Sequence, residues 1–133
     1  MQATAQAAPS VAFSQLPALG AAAGGVRFVG LTTRPDGIHC AVLLLDAKPP
    51  RRMNWNDAMA WAAEQGAELP ARTVSALLFA NARDQFEEGW HWTCEQYSAS
   101  DAWTQLFYNG DQINDSKVYE ARARAVRLIQ ITA

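Results

Sequence analysis

Residues 90–127 concentrate the side chains best suited to meeting another molecule. Trp90, Trp92 and Trp103 are three of the five tryptophans. Among and after them stand Glu95, Tyr97, Ser98, Ser100, Asp101, Gln105, Tyr108, Asn109, Asp111, Gln112 and Asn114. Flat aromatics separated by short polar residues have the composition of a recognition surface. Tyr and Trp supply rigid contact area, and Ser, Asn and Asp supply adaptable hydrogen bonds. Bond-making chemistry would instead ask for a nucleophile beside a base, or for paired carboxylates. Trp90 and the polar positions are therefore the expected ligand contacts. His91, between Trp90 and Trp92, stands between ligand contact and core.

Other chemistries find weaker support. His39-Cys40 and His91-x-x-Cys94 have zinc-ligating side chains, but their spacing fits no compact zinc motif. Trp55-Asn56-Asp57 matches a calcium-site tripeptide but sits at an expected helix start. No acidic cluster accompanies it to supply the six to eight oxygens that calcium takes. No metal or cofactor is expected. Arg122, Arg124 and Arg127 could hold an anion, although pairing with Asp101, Asp111 or Glu120 to fix the loops is the stronger expectation. The chain has no Gly-rich phosphate loop and no nucleophile elbow, so no enzymatic activity is expected.

The elements that must position these residues are legible from pattern. A chain of 133 residues, half of them apolar and 18% charged, is expected to form one domain with a real core. A net charge of −2 argues against a nucleic-acid partner. No apolar run is long enough to insert in a membrane. No Lys or Arg precedes Arg27, so no signal peptide is expected, and synthesis in a host cytoplasm with reduced Cys40 and Cys94 follows.

Residues 1–25 are rich in Ala, Gln, Pro and Gly but carry Val11, Phe13 and Leu16. They read as a flexible lead-in or as an arm that docks on a neighbour, which would make a homo-oligomer. The domain proper is expected over residues 26–133. Residues 26–31 and 38–45 predict a hairpin around Arg34-Pro35-Asp36-Gly37. A helix is expected over 54–65, capped by Asn54 and Asp57, with Trp55, Ala58, Met59 and Ala62 facing inward and Gly66 ending it. A second is expected over 73–83, with Val74, Leu77, Leu78 and Ala82 facing inward. After Trp90 the helical period disappears. Short strands with turns at Asn109-Gly110 and Asn114-Asp115 are expected, and a last strand over 121–131 with Arg122 and Arg124 on one face and Ala121, Ala123 and Ala125 on the other. The order ββ–α–α–βββ gives an α+β domain: two helices packed on a small irregular antiparallel sheet.

The order of several short motifs adds a resemblance. Trp55-x-x-Ala58, Leu69-Pro70, Trp90-x-Trp92-Thr93-Cys94-Glu95-x-Tyr97, Ala102-Trp103, Phe107-x-Asn109-Gly110, Lys117 and Val126-Arg127 succeed one another across residues 53–128. This resembles the C-type-lectin-like domain at the C-terminus of bacterial collagen-like adhesins, common in phage and prophage proteins. That group is akin to the formylglycine-generating-enzyme fold and to the variable proteins of diversity-generating retroelements. Three departures stand out. Ala71 replaces the Ser or Thr that usually caps the second helix, so the cap is expected at Thr73. Thr93-Cys94 replaces Ser-Ser. The arm and hairpin lie outside the match.

The resemblance implies a C-type-lectin-like binding scaffold on a virion or tail, with Trp92 and Trp103 filling the core beneath its loops, recognising a host-surface glycan or protein. The alternative is a structural virion decoration or a tail-assembly module bound to another phage protein. Neither Cys40 nor Cys94 falls in a match to the redox pair of the enzyme relatives. The Asn, Asp, Ser and Tyr of the polar positions are also what retroelement mutagenesis of Asn codons leaves, though loops favour the same residues.

Overall fold

A computed structural model of the chain describes residues 9–133. In chain order its elements are β1 (Ser10–Ala12), β2 (Ala22–Ala23), β3 (Val26–Thr33), β4 (His39–Leu45), α1 (Trp55–Glu64), α2 (Arg72–Ala82), β5 (Trp90–Gln96), β6 (Asp101–Leu106), β7 (Gln112–Ser116) and β8 (Val126–Thr132). A 3-10 turn, Phe13–Gln15, follows β1, and another, Arg83–Gln85, follows α2. The class is α+β.

The hairpin β3–β4 forms as its composition predicts. Arg34 and Gly37 close the turn with a 2.9 Å bond from Gly37 N–H to the Arg34 carbonyl, and Asp36 accepts from Ile38 N–H at 3.0 Å. Gly37 has a φ of 88°, which a side chain would strain. A bulge between Phe28 and Gly30 bends β3 toward α2. A Cβ on Gly30 would lie 3.0 Å from the Leu77 side chain, so this glycine sets how closely the helix approaches the sheet.

Both helices keep their expected positions. Asn54 caps α1 by accepting from Asp57 N–H at 2.9 Å, and Gly66 follows its end with a φ of 65°. Its buried face is Trp55, Ala58, Trp61 and Ala62. Trp61 joins that stripe, and Met59 is partly buried against the same cluster. In α2 the buried residues are Val74, Ser75, Leu78 and Ala82, while Leu77 is half-buried. The cap expected at Thr73 is not there. The helix begins at Arg72, whose N–H donates to Glu95 Oε2 at 2.6 Å. A carboxylate from a distant strand does the work of a local hydroxyl, and the helix dipole favours it.

The single sheet expected from the pattern is two. A five-stranded sheet has the order β1-β8-β4-β3-β2, and a three-stranded sheet the order β5-β6-β7. Four strands follow the helices instead of three. Asn114-Asp115 is not a turn but lies inside β7, paired with Trp103 and Ala102. The last strand starts at Val126, not at residue 121. Before it, Ala121, Ala123, Arg124 and Ala125 are all buried and only Arg122 is partly exposed, so the expected alternation of two arginines against three alanines fails.

Residues 1–8, part of the expected arm, lie outside the described residues. The rest of the arm joins the chain's own sheet. β1 runs parallel to β8, with Ser10 opposite Gln130, and β2 pairs with β3. The boundary expected at residue 25 thus falls inside the five-stranded sheet.

Two apolar clusters make the core. One gathers Trp55, Trp61, Leu69, Trp92, Ala102 and Ala121 between α1 and the three-stranded sheet. The other gathers Val29, Val42, Val74, Leu78, Phe107 and Val126 around α2. The three-stranded sheet is held by both and turns its remaining face and its two ends outward.

Candidate recognition surface

The two motif tryptophans separate. Trp92 is 1% exposed and donates from Nε1 to the Met53 carbonyl at 2.9 Å. It is a core residue, as expected. Trp103 is not. It is half-buried on the other face of β6, with the Arg72 guanidinium 3.6 Å from its ring centroid and Tyr97 edge-on at 5.5 Å. Successive residues of a strand point to opposite faces, and Ala102 and Thr104 take the inner one. Trp90 is half-buried against the first core cluster, so it offers only part of a surface.

Two expected contact residues, Gln105 and Gln112, are drawn into the fold, and a third, Glu95, stays exposed with one oxygen engaged. Gln105 is 1% exposed. Its Nε2 donates to the carbonyls of Leu106 and Asp111 at 3.1 and 3.4 Å. Its Oε1 accepts from Gln112 Nε2 at 2.8 Å. Gln112 also donates to the Arg72 carbonyl and accepts from Arg72 Nε, both at 2.9 Å. Glu95 caps α2. Amide and carboxylate atoms committed in this way cannot serve a ligand without leaving the fold unpaired. These side chains clamp the start of α2 to the three-stranded sheet. Their partners lie as far as 40 residues away in sequence, a separation that no local pattern shows.

The other polar candidates do not make the single face that their sequence proximity suggests. They gather at opposite ends of β6, a six-residue strand of about 17–20 Å by its rise per residue. At one end, Tyr97, Ser98 and Ser100 form the β5–β6 turn. Ser98 Oγ accepts from Asp101 N–H at 3.1 Å, and Tyr97 N–H donates to the Asp101 carbonyl at 2.9 Å. At the other end, Tyr108 and Asn109 lead into Asp111, with Asn109 Oδ1 accepting from Asp111 N–H at 3.0 Å. Gly110, with a φ of 89°, seats that turn on Phe79: a Cβ there would come within 2.8 Å of the ring. Arg83 donates to the Tyr108 carbonyl. Asn114 sits half-buried on β7 between the two ends. Beside it, burial pushes the Asp115 carboxyl above its ordinary range, and Asp101 adds repulsion.

The first end gains residues that the sequence reading left out. Lys117 reaches from the turn after β7 to Gln96 Oε1 at 2.6 Å and the Ala99 carbonyl at 2.9 Å, while its N–H donates to the Ser100 carbonyl at 2.8 Å. It thereby ties two turns together and places Val118 and Tyr119 at the same end of the sheet as Tyr97. Val118 is 82% exposed, Tyr97 58% and Tyr119 44%. The readable signal was an apolar pair, Val118-Tyr119, in an otherwise polar stretch. Isolated exposed apolar residues are ordinary, and these three stand at one end of the sheet.

The three late arginines act on different groups from the acids expected. Arg122 Nε pairs with Glu87 at 2.6 Å. Arg124 donates to the carbonyls of Gln85 and Leu45, and Arg127 to those of Gly66 and Gln65 at the end of α1. Arg127 there complements the negative end of the helix.

The histidines and cysteines stand apart. His39 is exposed and bonded to Thr33 Oγ1 at 2.7 Å. His91 is buried edge-on against Phe86 and Phe107, and burial lowers its pKa to about 4. Cys40 is buried in the five-stranded sheet. Cys94 is half-buried, and burial pushes its thiol up to about 11. Among the described residues no three His, Cys, Asp or Glu side chains group as metal ligands, and no helix is long and apolar enough to cross a membrane.

Compared with known proteins, the chain matches no family model and no curated protein sequence.

Proposed function

We propose that this chain is a non-catalytic C-type-lectin-like recognition domain of a virion or tail, binding a host-surface glycan or protein. The reading begins from the order of motifs across residues 53–128. It is supported by an architecture of two helices, a sheet holding both end strands, and a second three-stranded sheet. The observation that carries it is the end of that second sheet, where Lys117 gathers Tyr97, Val118 and Tyr119 beside the polar Ser98, Ser100 and Asp101. Tyrosine faces pack on sugar rings or on partner side chains, and the short polar groups fix orientation.

A second reading rests on a different surface. Phe13 and Leu19 in the N-terminal arm are 61% and 60% exposed. They favour a structural role, as a decoration or tail-assembly module held to another phage protein or to a second copy of this chain.

A glycan array and a blot of separated virion proteins, both probed with the full chain, distinguish the two. Recognition predicts glycan or host-surface binding that falls at least tenfold in a Tyr97→Ala, Tyr119→Ala double variant, since an interface anchor is worth about 2 kcal/mol or more. Binding confined to a virion protein, lost on Phe13→Ser and Leu19→Ser but indifferent to both tyrosines, would give the structural role precedence.

A further inference from the structure

Away from the tyrosine end lies a cleft of about 290 Å³ whose charged walls the recognition surface does not use. Its lining includes Lys48, Arg51, Arg52, Arg122 and Arg124, opposed by the single carboxylate of Glu87. Five cations against one anion leave an excess of four positive charges. This concentration is local, in a chain whose net charge is −2. The linker from β4 to α1 makes one wall: Pro49-Pro50 hold it extended, and Met53 pins its end to Ala121 by paired backbone bonds of 2.9 and 3.0 Å. The buried segment before β8 makes the other.

Two features mark the cleft as more than a solvated basic patch. Arg124 is 4% exposed and, among the described residues, forms no ion pair within 4 Å. Its terminal nitrogens bond carbonyl oxygens, its Nε has no hydrogen-bond partner, and Asp46 is the carboxylate whose field reaches it. A guanidinium removed from water without a counter-ion is costly, and an anion in the adjoining cleft would offset that cost. The carbonyl bonds explain what Arg124 braces; the Phe86 ring, 4.9 Å from its guanidinium carbon, and the more distant Asp46 offset its charge without a contacting carboxylate. The second feature is Arg122. It lies so close to Gly89 that a Cβ there would stand 2.6 Å from its Nη1, and its carboxylate partner, Glu87, is 67% exposed. An exposed ion pair is weak, so Glu87 is a counter-ion that a more highly charged group can displace.

We propose that this cleft binds the dianionic phosphoryl group of a phosphomonoester. Guanidinium groups match phosphate oxygens in two-pronged geometry. A phosphomonoester carries about −1.5 to −2 charges at neutral pH, its second pKa being about 6. A carboxylate or a sulfate monoester brings only one. The ester's organic part remains outside the cleft, so a soluble ester and a phosphorylated surface group present the same chemistry. This site is independent of the tyrosine end and does not rest on its assignment.

The test is calorimetric titration of the full chain at pH 7.5 and constant ionic strength with methyl phosphate and, separately, methyl sulfate. Sedimentation with phosphatidylcholine vesicles, with and without phosphatidic acid, supplies the surface-bound monoester. Methyl phosphate should bind at least fivefold tighter than methyl sulfate. Binding to both phosphate forms, or to either one, supports the site and identifies the source it accepts. A double variant, Arg51→Gln and Arg52→Gln, changes exposed side chains and should lose at least tenfold in affinity with an unchanged melting temperature. Glu87→Gln removes the internal competitor and should tighten binding at least threefold. Equal affinity for the two methyl esters, undiminished binding by the double variant, or no binding of either phosphate form would overturn the assignment. Weaker binding by Glu87→Gln would overturn the displacement of Glu87.

Discussion

The two sheets of this molecule solve burial in opposite ways. In the five-stranded sheet the central strand β4 buries Cys40, Ala41, Val42, Leu44 and Leu45, and β3 adds Phe28 and Val29. Each needs only other apolar atoms, and nearly any neighbour supplies them. The three-stranded sheet buries His91, Trp92, Thr93, Thr104 and Gln105. Each needs a particular partner. Thr93 Oγ1 donates to the Trp103 carbonyl at 2.9 Å, Thr104 Oγ1 to the Ile113 carbonyl at 3.0 Å, and Trp92 Nε1 to the Met53 carbonyl. Apolar burial is forgiving and polar burial is specific, because an unpaired buried donor or acceptor costs roughly 1–3 kcal/mol. The second sheet therefore has one tightly specified arrangement. That rigidity is what a preformed binding surface needs at its free end.

The comparison breaks most sharply at the two tryptophans. Trp92→Ala should cost about 3–5 kcal/mol, as removal of a buried aromatic does, and leave little of a typical domain's stability. Trp103→Ala should cost less than half as much, because that ring is half-buried beneath Arg72. Urea unfolding of both variants gives the two losses. Equal losses would mean that the outer face of the second sheet is as integral as the core.

Next in size is pH. His91 has an ordinary pKa of 6.5 in the unfolded chain and about 4 in the fold, chiefly through burial. The folded form thus resists protonation. Stability is fully present above pH 6.5 and falls as the pH drops toward 4, where the unfolded chain binds a proton that the fold excludes. Between pH 7.5 and 5 this should remove about 2 kcal/mol, by linkage at about 1.4 kcal/mol per pH unit. His91→Gln should flatten that part of the profile, which unfolding at the two pH values would measure. The same slope in wild type and variant would assign it to other groups.

Smaller again is the cap. Glu95→Ala leaves Arg72 N–H without its carboxylate and should cost about 1 kcal/mol, the ordinary worth of a helix cap. Thr73→Ala, at the position where the sequence placed the cap, should cost less. Amide exchange in the first turn of α2 would report the difference. The smallest effect belongs to the free end: Tyr97→Ala should change stability by no more than about 0.5 kcal/mol, as exposed positions do. A larger loss would show that Tyr97 braces Trp103 and is not free to serve a ligand.

The same contrast explains how far the sequence could be read. The hairpin turn, both helices, the Asn54 cap and Gly66 are legible because each depends on near neighbours or on a simple apolar period; the buried Trp92 is an expectation of the motif order. The Glu95 cap was not legible, since its acceptor comes from a strand 23 residues away. Nor was the withdrawal of Gln105 and Gln112 into the fold, because a polar side chain looks the same in sequence whether water or a buried amide satisfies it. Trp103 was misplaced because a motif shows that an aromatic is present without showing which face of a strand it takes. The arm reads as a separate piece because short strands of Ser, Val and Ala have no period long enough to detect.

By itself the sequence determined the class, the helices and the first hairpin, since these follow from local preference and from the fraction of the chain that must leave water. Only the tertiary structure decided that residues 90–116 form their own sheet and that the expected face divides between its two ends. It alone brought Val118 and Tyr119 beside Tyr97, and the linker arginines opposite Arg124. These are relations between segments distant along the chain. Long-range pairing chooses them by which buried polar groups find partners, and no local pattern encodes that choice.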